Sequence, residues 1–354
     1  MPAWWRWSRS SGMNDGMSLA PAPGAAKISA MEDGFGRRIS YLRVSVTDRC
    51  DFRCTYCMAE EMTFLPRAEV LSLEEIERLC GVFVGLGVRK LRFTGGEPLV
   101  RAGVPGVMAR VGARHLGQGL EELTLTTNGA RLARFAPELA AAGVRRVNVS
   151  LDSLKEARFA AITRTGHLPA VLAGIEAAAA AGLAVKINMV ALKGVNEDEI
   201  SPMLAWCGAR GFDLSLIETM PLGDMSGRVE THLSLATVRE RLCQHWTLRP
   251  SAHATGGPSR YWDVAETGAR IGFITPLSEH FCASCNRVRL DVKGRLYLCL
   301  GHEAAVDLRA PLRAGASDET LDSLVRAAMR IKPERHEFEI GRPAVARYMS
   351  ATGG

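Results

Sequence analysis

Between residues 41 and 217 the chain repeats one unit, a short run rich in Val, Ile, Leu or Thr followed by a helical stretch. The runs are YLRVSV (41–46), KLRFT (90–94), LTLTT (123–127), RVNVSL (146–151), VKINMV (185–190) and DLSLIE (213–218). LSLEEIERLCGVFVGLG opens on Ser72 as an N-cap, with Glu75 placed to complete a capping box, and ends on Gly87. RLARFAPELAAAG, HLPAVLAGIEAAAAAG and EDEISPMLAWCGARG also close on glycine, whereas GVPGVMARVGARH carries a Pro and reads less clearly as a helix. Repeats of this kind demand parallel strands with right-handed crossovers. The expected fold is therefore α/β, with functional residues at the carboxyl ends of the strands. Periodicity alone leaves an open doubly wound sheet and a partial barrel both standing.

After about residue 220 the rhythm changes. Residues 223–258 read as loop-rich, and YWDV, RIGFI, RVRLDV and RLYLCL read as short antiparallel strands with VKGR as a hairpin turn. Helical stretches are expected near 303–313 and 317–331, and PERHEFEIGRPAVARYMSATGG reads as extended. The organisation predicted is a disordered extension over 1–36, a barrel over 37–222, a smaller lobe over 223–332 and an extended tail over 333–354. Ser, Gly, Pro and Ala dominate up to Ala30, and Met13, Met17 and Met31 are alternative starts.

Cysteine usage is the sharpest chemical signal. Six of the nine fall in two groups of three: Cys50, Cys54 and Cys57, then Cys282, Cys285 and Cys299. Triplets do not pair off internally as disulfides, and no secretory apolar segment opens the chain, so reduced, metal-binding thiolates in the cytoplasm are expected. Cys80, Cys207 and Cys243 sit singly in helical patterns and read as core packing. The net charge of +6 is spread along the chain, which argues against a nucleic-acid stripe, and no run of 18 apolar residues predicts a membrane helix.

Cys50-x3-Cys54-x2-Cys57 follows the first strand directly. A [4Fe–4S] cube normally takes four thiolates, so three leave one iron open to chelate a small molecule. Zinc in a structural site wants four protein ligands, and this loop supplies three. The second set differs, because His280 or His302 could complete a zinc site there. On spacing alone, zinc and a second cluster both remain open for it.

With Tyr56 before the third cysteine and Thr94-Gly95-Gly96-Glu97-Pro98 ending the second strand, the chain resembles the radical S-adenosylmethionine superfamily, which implies a partial (β/α)6 TIM-like barrel. Within it, residues 37–354 are similar to the GTP 3′,8-cyclase family in the order of their motifs. These are RRISYLRVSVTDRCDFRCTYCM, LRFTGGEPLVR, LTTNG, RVNVSLDSL, VKINMV, IETMP and CASCNRVRL with a later Cys. The resemblance implies two [4Fe–4S] clusters, the second in the C-terminal lobe with an open iron for guanine. It implies that Tyr56, Gly96, Ser150 and Met220 contact S-adenosylmethionine. It implies that Arg43, Arg92, Thr126, Lys186, Arg287, Val288 and Arg289 contact GTP, with Arg287 and Arg289 on one face of their strand. The two glycines of GGEP would let backbone carbonyls approach the cofactor's ammonium.

The implied activity is radical. A 5′-deoxyadenosyl radical removes ribose H3′ of GTP, and the substrate radical closes onto guanine C8 to give (8S)-3′,8-cyclo-7,8-dihydroguanosine 5′-triphosphate, in the first step of molybdopterin synthesis. Implied partners are an external electron donor and cyclic pyranopterin monophosphate synthase as recipient of the product, with no nucleic acid and no membrane; a homodimer is left open. Family members end in a double glycine, so Gly353 and Gly354 are expected to reach the active site, while Arg342 and Arg347 read mainly as solvated. Two rivals stand beside this reading: a peptide-modifying radical enzyme, which would carry more C-terminal cysteines, and a zinc-dependent nucleotide or RNA binder, which would not need GGEP.

Overall fold

The structure is a computed structural model that describes residues 31–223 and 229–353. Its centre is six parallel strands in chain order: β1 (Tyr41–Ser45), β2 (Lys90–Thr94), β3 (Glu122–Thr127), β4 (Arg146–Ser150), β5 (Ala184–Val190) and β6 (Asp213–Ile217). The helices between them are α1 (Leu73–Gly85), α2 (Val104–His115), α3 (Leu132–Ala141), α4 (Glu156–Thr163), α5 (Leu168–Ala180) and α6 (Ile200–Gly208). The capping box forms as read: Ser72 Oγ accepts from Glu75 N at 3.1 Å, and Glu75 accepts from Ser72 N at 2.6 Å. The stretch with Pro105 is a full helix, because the proline stands in its first turn, where no intrahelical N–H is needed.

Each strand alternates. Leu42, Val44, Leu91, Phe93, Leu123, Leu125, Val147, Val149, Ile187, Leu214 and Leu216 belong to one buried apolar cluster shared with the helices. The opposite face carries Arg43, Arg92, Thr126, Ser150, Lys186 and Asn188, and all six line one cavity. Strands whose alternate residues converge on one space belong to a curved sheet, which decides for the partial barrel over the flat one.

The C-terminal half does not fold as an all-antiparallel unit. After α7 (Leu235–Leu242) the chain lays down β7 (Leu248–Pro250), β8 (Arg260–Val264) and β9 (Arg270–Ile274) beside β6. It then crosses to the other edge as β10 (Arg287–Leu290), β11 (Arg295–Tyr297) and β12 (Ala305–Asp307) beside β1. β9 pairs parallel with β6 and β10 parallel with β1; only the outer pairs are antiparallel. The result is one twelve-stranded sheet, with β12 and β7 at its two edges. Residues 223–258, which read as loop-rich, also contain α7 and β7. The helix expected over 303–313 begins only at Arg309, since β12 takes the residues before α8 (Arg309–Arg313). α9 (Asp318–Met329) lies within its expected span, and the tail read as extended ends in a turn of helix, α10 (Met349–Thr352).

Two further expectations are corrected. The sequence pattern extends the disordered segment through residues 31–36, yet Met31 is 1% exposed and its carbonyl accepts from Ile39 N at 2.7 Å. Residues 1–30 lie outside the described residues. Cys80 and Cys207 are buried as read, but Cys243 is exposed at the C-cap of α7.

α3 and α5 touch where Gly174 meets the backbone before α3, and a Cβ at Gly174 would stand 2.2 Å from the Gly129 carbonyl oxygen. Because the obstacle is backbone, Gly174→Ala should cost roughly 1–3 kcal/mol. A lowered denaturant midpoint with unchanged slope is the expected readout; an unshifted midpoint would show that the helices can slide apart.

Candidate functional site

The two cysteine sets stand at opposite ends of the strands they adjoin. Cys50, Cys54 and Cys57 follow β1 at its carboxyl end, as expected of a parallel barrel. Cys282 and Cys285 precede β10 at its amino end, and Cys299 follows β11, which returns antiparallel to that same end. The β10–β11 hairpin thus joins Cys299 to Cys285, as the spacing suggested, but not at the carboxyl end where functional residues were expected. β1 and β10 run side by side, and a five-residue parallel strand spans roughly 15 Å, so the cavity between the sets is about that tall. All six thiols line a single cavity of about 250 Å³.

The first cysteine loop is held by the strand-end motif. Gly96 N donates to Thr47 O at 2.8 Å and Glu97 N to Arg49 O at 2.8 Å. A Cβ on Gly95 would stand 2.4 Å from Thr47 O, and one on Gly96 2.3 Å from Arg49 O. The glycines therefore serve this packing of backbone on backbone, a reason the sequence reading did not give. Glu97 is fully buried and ties in the next strand: its carboxylate accepts from Asn128 N at 2.7 Å, from Leu99 N at 2.9 Å and from Thr127 Oγ1. Asn128 in turn donates to Asp51 at 2.7 Å, inside the cysteine loop. Burial pushes the Glu97 carboxyl up to about 7.

Tyr56 donates to Asp152 Oδ2 at 2.6 Å, and Asp152 Oδ1 accepts from Val190 N at 2.8 Å. Burial raises this carboxyl to about 6. Asp152 lies two residues beyond Ser150 and lines the cavity with Ser150, Met220 and Gly96. The sequence reading missed it, although its motif, NVSLDSL, was in hand.

Between the two sets runs a row of guanidinium groups. Strand register puts Arg289, Arg43 and Arg92 side by side across β10, β1 and β2, and pairs Arg287 with Tyr41. Arg43 Nε, Arg92 Nε and Thr126 Oγ1 are buried without a hydrogen-bond partner. Burial, then the neighbouring Arg289, hold Arg43 well below the usual arginine range. Burial and Arg287 lower Arg289 to about 10. Lys186, buried on β5, bonds Tyr261 Oη, and burial lowers its ammonium. Val288 belongs to the apolar core and also borders the cavity.

The second set has cations of its own. Lys332 is 2% exposed, bonds the Leu298 carbonyl, and lies 3.9 Å from Cys285 Sγ. Burial alone would raise the Cys285 thiol, but the Arg287 and Lys332 charges outweigh it and bring it down. Arg37 reaches across to the Cys282 carbonyl at 2.8 Å. Lys332 and Arg37 were not among the predicted residues; only tertiary contacts place them.

The tail enters the barrel. Arg289 Nη1 donates to Gly353 O at 2.5 Å, and Gly353 has φ +76°. A Cβ there would stand 2.2 Å from Thr94 Cγ2. Arg347, read as solvated, is instead 9% exposed, stacks on Tyr297 at 4.2 Å and bonds the Leu300 carbonyl. Arg342 is exposed as read. Gly354 lies outside the described residues.

The donor sets fit iron–sulfur clusters. Three thiols edge each end of the cavity, and cations stand ready to offset a cluster's negative charge. His302, one of the two zinc candidates, has its Nε2 against the Arg335 carbonyl at 3.0 Å.

Comparison with known proteins agrees. The Radical SAM superfamily model matches residues 44–207, and the Molybdenum Cofactor Synthesis C model matches 212–338. A GTP 3′,8-cyclase of Paracoccus denitrificans is 59% identical over 94% of this chain and 100% of its own. One from Caulobacter vibrioides is 60% identical over 91% and 93%. The chain belongs to the GTP 3′,8-cyclase family. Streptococcus suis SuiB shares the fold at a TM-score of 0.56 with 14% identity, over 76% of this chain and 63% of its own.

In a cyclase of this arrangement, Tyr56 and Asp152 should act as a unit. Tyr56→Phe and Asp152→Asn should each weaken S-adenosylmethionine binding, and the double variant should lose less than the sum, with a coupling of about 0.5–3 kcal/mol. Strict additivity in a binding titration would mean that the hydrogen bond does not position the ring.

Proposed function

We propose that this chain converts GTP to (8S)-3′,8-cyclo-7,8-dihydroguanosine 5′-triphosphate, the first step of molybdopterin and molybdenum cofactor synthesis, using two [4Fe–4S] clusters and S-adenosylmethionine. The observation that carries this reading is the buried guanidinium row lying between two three-thiol sets in one cavity. A tetra-anionic nucleotide is the kind of ligand such a wall requires.

S-adenosylmethionine bound at the first thiol set would supply the hydrogen-abstracting radical chemistry needed at ribose C3′. The chain's own groups bind and orient. Cys50, Cys54 and Cys57 would hold the first cluster, and Cys282, Cys285 and Cys299 the second. Tyr56, Gly96, Ser150 and Met220 bound the adenosyl side. Arg43, Arg92, Thr126, Lys186, Arg287, Val288 and Arg289 bound the nucleotide side. With the thiol sets at opposite ends of β1 and β10, a nucleotide anchored by its base at the second set would extend its ribose toward the first. The apolar cluster beneath the strands, together with the entering tail, keeps water out. An external electron donor, and delivery of the product to cyclic pyranopterin monophosphate synthase, complete the reading. Work in the cytoplasm is part of this proposal; separately, no helix among the described residues is long and apolar enough to cross a membrane.

Anaerobically reconstituted protein should hold about eight iron atoms per chain. Cys285→Ser should retain cleavage of S-adenosylmethionine while losing the cyclised product, and normal product formation by that variant would remove the second set from the reaction. Gly353→Ala tests the tail: the methyl would strike Thr94, so turnover should fall severely with both clusters and GTP affinity kept. Wild-type turnover would show that the tail merely rests in the barrel.

A further inference from the structure

His336 carries an unexplained donor. The residue is 7% exposed and lines the cavity with Phe281, Cys285 and Cys299. Its ring stacks on Phe338 with centroids 4.3 Å apart, and the His280 ring meets its edge at 5.1 Å. Nδ1 accepts from the Phe338 backbone N–H at 3.3 Å. An imidazole that accepts at Nδ1 carries its proton on Nε2. That Nε2 is buried with no hydrogen-bond partner. Burying an N–H without an acceptor is costly, and such a group in a cavity wall points to a ligand atom that completes it. It also cannot ligate iron while it holds the proton, so it is no fourth ligand of the adjoining cysteines.

We infer that His336 selects guanine over adenine, its Nε2–H donating to the oxygen on purine C6, where adenine instead bears an amino group that itself donates. The inference rests on the proposed function, which puts the base at the second cysteine set. Rejection would then come from two donors left facing each other in a buried site, an arrangement that discriminates more strongly than a missing apolar contact. The stacked Phe338 ring fixes the imidazole plane, so the donor is held in place before the nucleotide arrives.

The test is equilibrium binding of GTP, ATP and 7-deaza-GTP to reconstituted protein, with iron content and cluster absorption measured beside it. The side-chain amide of Gln can reach the Nε2 position, whereas that of Asn stops near Nδ1. His336→Asn should weaken GTP binding about tenfold and strengthen ATP binding, narrowing their ratio, while His336→Gln should restore most of the preference. Iron content and cluster absorption should match wild type in both. An unchanged GTP-to-ATP ratio in His336→Asn with both clusters intact would overturn the inference. So would equal loss in the Asn and Gln variants, which would mark a packing role. If 7-deaza-GTP bound the wild-type protein as weakly as GTP binds the Asn variant, the acceptor would be N7, common to both purines, and the selection claim would fall. Failure of wild-type protein to bind GTP at all would instead count against the proposed function.

Discussion

Three arginines standing side by side in a protein interior repel one another and lose their hydration, and the architecture of this chain follows from tolerating that arrangement. Arg289, Arg43 and Arg92 are register neighbours on adjoining parallel strands, and the row faces a cavity rather than solvent. Among the described residues no carboxylate pairs with these three groups, whereas Lys90 and Arg146, at the amino ends of β2 and β4, share Glu122. The row is therefore incomplete without an anion. Its tolerance depends on a rigid frame, since strands that could separate would relieve the repulsion by opening. The apolar outer faces and the packed helices supply that frame.

The same geometry explains why the chain crosses from one edge of the sheet to the other. The segment between β9 and β10 carries Cys282 and Cys285 from the β6 side to the β1 side. By joining β1 in parallel, β10 adds Arg289 to the row and sets the second thiols at the opposite end from the first. Arg37 fastens this segment at the Cys282 carbonyl, and Lys332 and Arg347 hold the Leu298 and Leu300 carbonyls on either side of Cys299, so that both parts of the second cysteine set are positioned by groups far away in sequence.

Much of this was legible in the sequence. Strand alternation, glycine-terminated helices and the Ser72 capping box are local, so β1 to β6 and their helices lie close to where their patterns put them. Two cysteine triplets and the GGEP turn announce metal chemistry by spacing alone. What local pattern could not carry is pairing partner and direction. RIGFI and RVRLDV look like any short strands; that each lies parallel to a barrel strand depends on contacts more than forty residues distant. For the same reason Asp152, Lys332 and His336 escaped notice, since each acquires its meaning from a neighbour remote in the chain.

The sequence by itself determined the α/β class, the parallel core, the reduced thiol sets and the polar–apolar alternation of the strands, because each rests on residue type at short separation. Only the tertiary structure decided which end of the barrel the second thiol set occupies and that the guanidinium row lies between the two sets. It alone showed that the glycines of GGEP are demanded by a passing backbone and that the tail's carbonyl meets Arg289. Those outcomes depend on strand register and on where the chain crosses the sheet, and burial of apolar surface over the whole molecule sets both.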